Sequence, residues 1–296
     1  MTARRRGGGE EAAELVEQTG LPGDGEEDGS RQEWTLTVRV SAAPQDVGEA
    51  VRRIRRLFDL DTDPLTVDAA LSTDPHLAPS IRAHPGLRVP GAADPEELVI
   101  RALVGRQISV AAARTHLSRL AARLGSPCTS PFVGLSRTFP TSAQLAGQLP
   151  SPQPGETLDP DRPLRLPRAG IEAVRGAAQA MADGALDLAT GSGASDPAEL
   201  RARLLRMPGV GPWTAGYISM RVAGDPDAWL PGDVALVSGA RALGILPAAQ
   251  GRATEREHRE LAEHAERWAP WRSYAVLHLW RSAGAAPRTP PARLDP

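Results

Sequence analysis

Five residues, Pro208-Gly209-Val210-Gly211-Pro212, constrain this chain more than any other stretch. They interrupt a run of helical spacing that starts at Asp196-Pro197 and resumes through Ala223. Glycine lets the backbone turn sharply and lie close to a ligand, because no Cβ intervenes. Pro212 suits the first turn of a new helix, where its missing N–H costs nothing. The N–H groups at such a helix start favour an anion, and a nucleic-acid phosphate is one, although that contact reads no base. Taken alone, the pattern is also that of an ordinary αα-hairpin.

The loop that follows ends in Leu230-Pro231-Gly232-Asp233, a single acid where a further helix should begin. Capping by itself would account for an aspartate there. Three more stretches stand in order along the chain: Pro85-Gly86-Leu87-Arg88-Val89-Pro90-Gly91, then Glu266-Arg267-Trp268-Ala269-Pro270-Trp271-Arg272-Ser273-Tyr274-Ala275, then His278-Leu279-Trp280. With the hairpin and Asp233 they resemble the helix-hairpin-helix (HhH-GPD) DNA glycosylase superfamily. Within it the bacterial 3-methyladenine DNA glycosylase II (AlkA-type) family is the nearer match. The resemblance runs roughly from Thr35 to Ala285.

That resemblance implies roles residue by residue. Asp233 matches the catalytic carboxylate. Trp213, Tyr217 and Trp280 match positions that receive the extruded base. Gly209 and Gly211, with Thr214, would offer backbone N–H groups to a DNA phosphate. Gln107, in the turn Gly105-Arg106-Gln107-Ile108-Ser109, stands where the family fills the gap left in the duplex; it is polar where an apolar wedge is expected. Strand-cutting members carry a lysine where this chain has Trp213. The residues also have a reading without the family. Trp213 and Tyr217 are four apart and share a helix face, which suits core packing as well as a cationic base. Tyr217 and Trp280 would then be core, and Gln107 a solvent-facing turn residue.

Composition narrows the chemistry. All 34 basic side chains are arginine, so imine formation on an opened sugar has no lysine to start from, only the Met1 amine. A glycosylase built on this chain is therefore expected to hydrolyse only, without lyase activity. The lone cysteine, Cys128, excludes an intrachain disulfide and a four-cysteine iron–sulfur cluster. No histidine pair has metal-ligand spacing, so no metal is expected; His258 and His264 are six apart. In the family the hairpin carbonyls can hold a monovalent cation. Net charge is −2, but residues 1–30 carry −5 of it, which leaves a mildly basic body of +3. No apolar run is long enough to cross a membrane, and the start has no signal-peptide core. The expectation is a cytoplasmic, nucleoid-associated monomer acting on double-stranded DNA that contains alkylated bases.

The expected fold is mainly α: a two-lobed helical HhH-GPD core at 91–286, preceded by a truncated α/β remnant at 32–90. Residues 1–31 read as a disordered acidic tail and 287–296 as a frayed one. The remnant shows one alternating strand, Trp34 to Val40, where the family has an antiparallel sheet of several strands. Helices are expected at 44–58, 63–71, 94–105, 109–125, 142–148, 168–181, from Asp196 up to the hairpin turn, from Pro212 through Ala223, and at 233–243, 254–268 and 271–282. Nine prolines between 126 and 167 predict irregular chain there, with 150–163 a loop insertion. The competing function is a helix-hairpin-helix DNA-binding protein that has lost catalysis. An oxidised-base glycosylase with lyase activity fails on the absent lysine.

Overall fold

The structure, a computed structural model, describes residues 2–5, 12–21, 32–41, 43–106, 108–153, 155, 161–188 and 196–285. It is mainly helical. The described helices are α1 (Val47–Leu57), α2 (Pro64–Leu71), α3 (Ala78–Ala83), α4 (Pro95–Val104), α5 (Val110–Leu124), α6 (Ser142–Gln148), α7 (Arg168–Ala182), α8 (Pro197–Leu205), α9 (Pro212–Ile218), α10 (Val234–Ala242), α11 (Glu255–Ala265) and α12 (Arg272–Ala285). One π turn, Ser219–Ala223, prolongs α9.

The sequence marks these starts chemically. Asp63, Asp94 and Asp196 each precede a proline and accept a backbone N–H of the first turn, at 3.1, 3.0 and 3.0 Å. Each therefore answers one of the donors that a helix start leaves open. Ser109 caps α5 in the same way, and Thr141 and Thr254 form full capping boxes with Gln144 and Glu257.

Three elements differ from expectation. Residues 1–31, expected as an unstructured acidic tail, hold two strands, β1 (Thr2–Arg5) and β2 (Ala12–Leu21). The expected strand, β3 (Gln32–Ser41), pairs antiparallel with β2, placing Leu15 opposite Val38, and β2 pairs in turn with β1. A lone strand would leave its ladder groups open; this order β1-β2-β3 fills them. Second, α3 forms between the helices expected at 63–71 and 94–105, where none was expected: Pro79 falls in its first turn, where it is tolerated. Third, Phe58, the last residue of the helix expected over 44–58, falls just past α1 and is 40% exposed. The expected insertion 150–163 is described in part, and the expected frayed end at 287–296 lies outside the described residues.

The chain forms two compact units, Met1–Thr62 with Val89–Asp225, and Asp63–Arg88 with Pro226–Pro296. In this division α2 and α3 group with the C-terminal helices, across the boundary expected at 90/91. The first unit has a core of α4 to α9, with Ile100, Leu120, Leu145, Ile171, Val174 and Ile218 at most 1% exposed. As the 3.6-residue spacing predicts, Ile171, Val174, Ala177 and Ala178 form the inner stripe of α7.

The second unit is held by polar groups as well as apolar ones. Asp74, 3% exposed, accepts hydrogen bonds from the His76 N–H (2.9 Å) and Trp268 Nε1 (2.8 Å) and meets His264 Nε2 at 2.7 Å. Burial pushes its carboxyl up, but these bonds outweigh it and hold it below its usual range. In the same unit α10 lies directly against α12. A Cβ on Gly239 would stand 2.0 Å from the Leu279 carbonyl oxygen and 2.6 Å from its carbon. Backbone cannot retreat as a side-chain tip can. Gly239→Ala is expected to lower stability by about 2 kcal/mol or more, the cost of overpacking a tight contact. Urea unfolding followed by tryptophan fluorescence would measure it.

Candidate active site and nucleic-acid hairpin

In the first unit the hairpin joins α8 to α9. Gly209 takes the left-handed conformation, φ 80°, that L side chains avoid. A Cβ there would also meet Ala173 Cβ at 2.9 Å. The Gly209 carbonyl accepts a hydrogen bond from Arg106 Nη1, which ties the turn to the end of α4. Gly211 is the N-cap of α9 and Pro212 its first residue, with no side chain capping the start. Thr214 sits in that first turn, 4% exposed. Gln107 lies outside the described residues.

On α9 the rings of Trp213 and Tyr217 stack, 5.2 Å between centroids and 6° from parallel. Both are half-buried. Arg221 continues the row: its Nη1 donates to the Tyr217 hydroxyl at 3.0 Å. Its guanidinium carbon lies 5.5 Å from the centre of the ring.

In the second unit Asp233 caps α10. Its Oδ1 accepts the N–H groups of Ala235 (2.8 Å) and Leu236 (3.2 Å), so the capping role expected for an aspartate at this place is real. Its Oδ2 accepts from Trp280 Nε1 at 3.2 Å. A carboxylate bonded on both oxygens has its orientation fixed. Trp280 reaches it because α12 runs against α10 at Gly239 and Leu279. The structure thus brings together Trp213 with Tyr217, and Asp233 with Trp280, each pair within its own unit.

The AlkA N-terminal domain family matches residues 26–94. DNA-3-methyladenine glycosylase 2 of Escherichia coli is 32% identical over 256 residues, 86% of this chain and 79% of that protein. The chain belongs to the DNA-3-methyladenine glycosylase II family. A Mycobacterium tuberculosis protein named "Probable bifunctional transcriptional activator/DNA repair enzyme AlkA" is 40% identical over 236 residues, 80% of this chain. The chain spans only 43% of that relative's length. Among solved structures, the 3-methyladenine DNA glycosylase of Archaeoglobus fulgidus superposes with a TM-score of 0.61 at 18% identity, over 91% of this chain and 87% of that one; at that identity it shows the shared fold.

Within this glycosylase-family chain, two arginines at the site were not legible as site residues. Arg106 is 103 positions from Gly209, and nothing local announces the contact. Arg221 carried a signal, since it stands four after Tyr217 on the same helix. Among the described residues no group of three or more His, Cys, Asp and Glu stands together as a metal site.

The helix that carries Trp280 is also anchored by a buried imidazole. His278 is 1% exposed, and its Nδ1 lies 2.9 Å from Ser80 Oγ of α3. Burial, reinforced by the charges of His84 and Arg281, pulls its pKa down from 6.5 to about 4. In the unfolded chain the ring takes its proton near 6.5; in the folded one it does so only near 4. The stability tied to the neutral ring is therefore whole above 6.5 and is lost as pH falls towards 4, about 3 kcal/mol in all. Urea titrations at stepwise lower pH should show that decline in wild type. His278→Gln, which cannot titrate, should lack this part of it.

Proposed function

We propose that the chain is a monofunctional DNA glycosylase that hydrolyses the N-glycosidic bond of alkylated purines, such as 3-methyladenine, in duplex DNA, the first step of base excision repair. The observation that carries this reading is Asp233, half-buried and oriented by two backbone N–H groups and an indole, in a chain of this family.

The reaction starts with a nucleotide turned out of the duplex, at a cost of a few kcal/mol in stacking and pairing. The N–H groups of Gly209, Gly211 and Thr214 take a backbone phosphate beside the lesion, and Gln107 fills the space the base leaves. Trp213 and Tyr217 give the extruded base aromatic faces, to which an electron-poor or cationic purine is drawn. Trp280 offers its indole to the base and holds Asp233 through its Nε1. As the bond from C1′ to the base nitrogen breaks, the electron pair leaves with the base and positive charge grows at C1′. The Asp233 carboxylate faces that charge and orients the water whose oxygen then bonds to C1′. The water gives up a proton, and the products are free base and an abasic site. A cationic purine leaves as a neutral molecule, so it needs little acid help.

No lysine is available to attack C1′, so the strand stays intact. No cofactor enters the scheme. No step depends on a monovalent cation at the hairpin carbonyls. The protein acts as a monomer in the cytoplasm, on nucleoid DNA.

The test is release of free 3-methyladenine from methylated DNA, wild type beside Asp233→Asn. Asparagine's one oxygen can keep the cap, but its amide nitrogen cannot accept from Trp280 Nε1, so the variant should lose about 1 kcal/mol and stay folded. Its rate should fall by about 10²-fold or more through loss of the charge. Release coupled to strand nicking would overturn the hydrolytic reading. Absence of release with DNA binding retained would favour a binding protein that has lost catalysis.

A further inference from the structure

Trp213, Tyr217 and Arg221 form one row along α9 and its π-turn extension. The two rings are nearly parallel and the guanidinium stands at the far end. The three positions, each four apart, follow one face of the helix. Tyr217 is therefore engaged by Trp213 on one side and by Arg221 at its hydroxyl and ring. Arg221 is itself fixed, since its Nη2 donates to the Gly91 carbonyl at 3.4 Å. Arginine suits this position, because its planar fork can bond a hydroxyl and a carbonyl at once while lying against a ring.

We infer that Arg221 is a positioning and specificity-determining residue for the reaction proposed above: it presets the Trp213–Tyr217 stack, and its charge reduces the stack's preference for cationic over neutral bases. The inference deepens that reading and rests on it for the choice of substrates. Two physical effects carry it. An aromatic face attracts a cation through its ring electrons. A guanidinium already held against the Tyr217 ring draws on the same electrons and adds like-charge repulsion towards any cationic base on the stack. A neutral base feels neither effect, and it gains only from a platform that is already rigid. Arg221 thus trades affinity for cationic purines against acceptance of neutral damaged ones. Trp213, at the end of the row away from the guanidinium, becomes the face best placed to receive a base.

The experiment uses the whole chain in two arms. In the first, kcat/KM is measured for release of a cationic base, 7-methylguanine, and of a neutral one, hypoxanthine, by wild type, Arg221→Met and Arg221→Lys. Methionine keeps length and packing without charge or donor. The ratio of cationic to neutral release should rise about threefold or more in Arg221→Met, the scale of one cation–ring interaction, and return towards wild type in Arg221→Lys. A residue that only supports the fold would lower both rates together; an unchanged ratio in an active Arg221→Met overturns the inference.

The second arm needs no turnover. Near-ultraviolet circular dichroism of wild type minus Trp213→Leu defines the signal of the stacked rings. Arg221→Met should lose at least about half of that signal while its far-ultraviolet spectrum stays that of wild type, since removing one pairwise contact leaves the helix but frees the ring. A stack signal kept in full by Arg221→Met overturns the inference. If wild type releases neither base, the proposed function fails, and this second arm still decides whether Arg221 sets the stack.

Discussion

The site depends on a backbone contact with no room in it. Gly239 of α10 lies so close to the Leu279 carbonyl of α12 that no other residue fits. That separation places the start of α10, where Asp233 sits, within reach of the residue after Leu279, the indole of Trp280. A wider crossing would break the bond between indole and carboxylate without touching either side chain. The polar ties behind it serve the same end. Asp74 binds the loop between α2 and α3 to His264 and Trp268, and Ser80 binds α3 to His278 on α12. The scaffold of the carboxylate is thus a set of buried polar bonds around one close helix pair, and breaking any buried member leaves its partner unsatisfied.

The first unit solves a similar problem with guanidinium groups. Arg106 donates to the carbonyl of Gly209, Arg137 to that of Gly125, and Arg175 to that of Leu149. Each spans at least 12 residues and answers a carbonyl at a turn or helix end, a place where regular structure leaves acceptors open. A chain whose basic side chains are all arginine has five donors per cation to spend in this way, where lysine would offer three on a flexible stem. The turn is therefore tied to a distant element. In the proposed reaction, an anion site of this kind would bind phosphate without first having to order its own turn.

Local chemistry was legible in the sequence. Asp63, Asp94, Ser109 and Asp196, where helices were expected to start, are all caps, and α6 runs over the residues expected for it. The paired aromatics on α9 follow from a spacing of four. What stayed hidden is long-range. The strands in residues 1–31 could not be read, because acids and glycines mask the pattern and a strand is stabilised by a partner many residues away. Helix α3 was hidden by Pro79 and Pro85, which punctuate a loop and an N-terminal turn alike. The move of residues 63–88 into the second unit rests on Asp74 and Ser80, whose partners lie 190 to 198 positions on. At the site, Asp233 was legible as a cap from its position and as a candidate catalytic carboxylate from resemblance alone. Its bond to Trp280 follows from neither, since it comes from the packing of α10 on α12.

These two roles of Asp233 are connected by charge. The start of a helix carries roughly half a positive charge, and a carboxylate capping it brings one full negative charge, so the end presents about half a negative charge to whatever lies before it. In the proposed reaction a cation grows at the sugar, and that residual negative field favours it. A neutral cap would keep every backbone bond yet turn the field around, setting the positive helix end against the developing cation. The same two N–H groups that hold the carboxylate in place would then oppose the chemistry. A charged cap is thus needed twice over, once to orient the group and once to overcome the helix end it stands on. The indole of Trp280 adds orientation without adding charge, so a neutral donor suits the second oxygen better than an arginine would: a guanidinium there would cancel the field that the proposed reaction asks of Asp233.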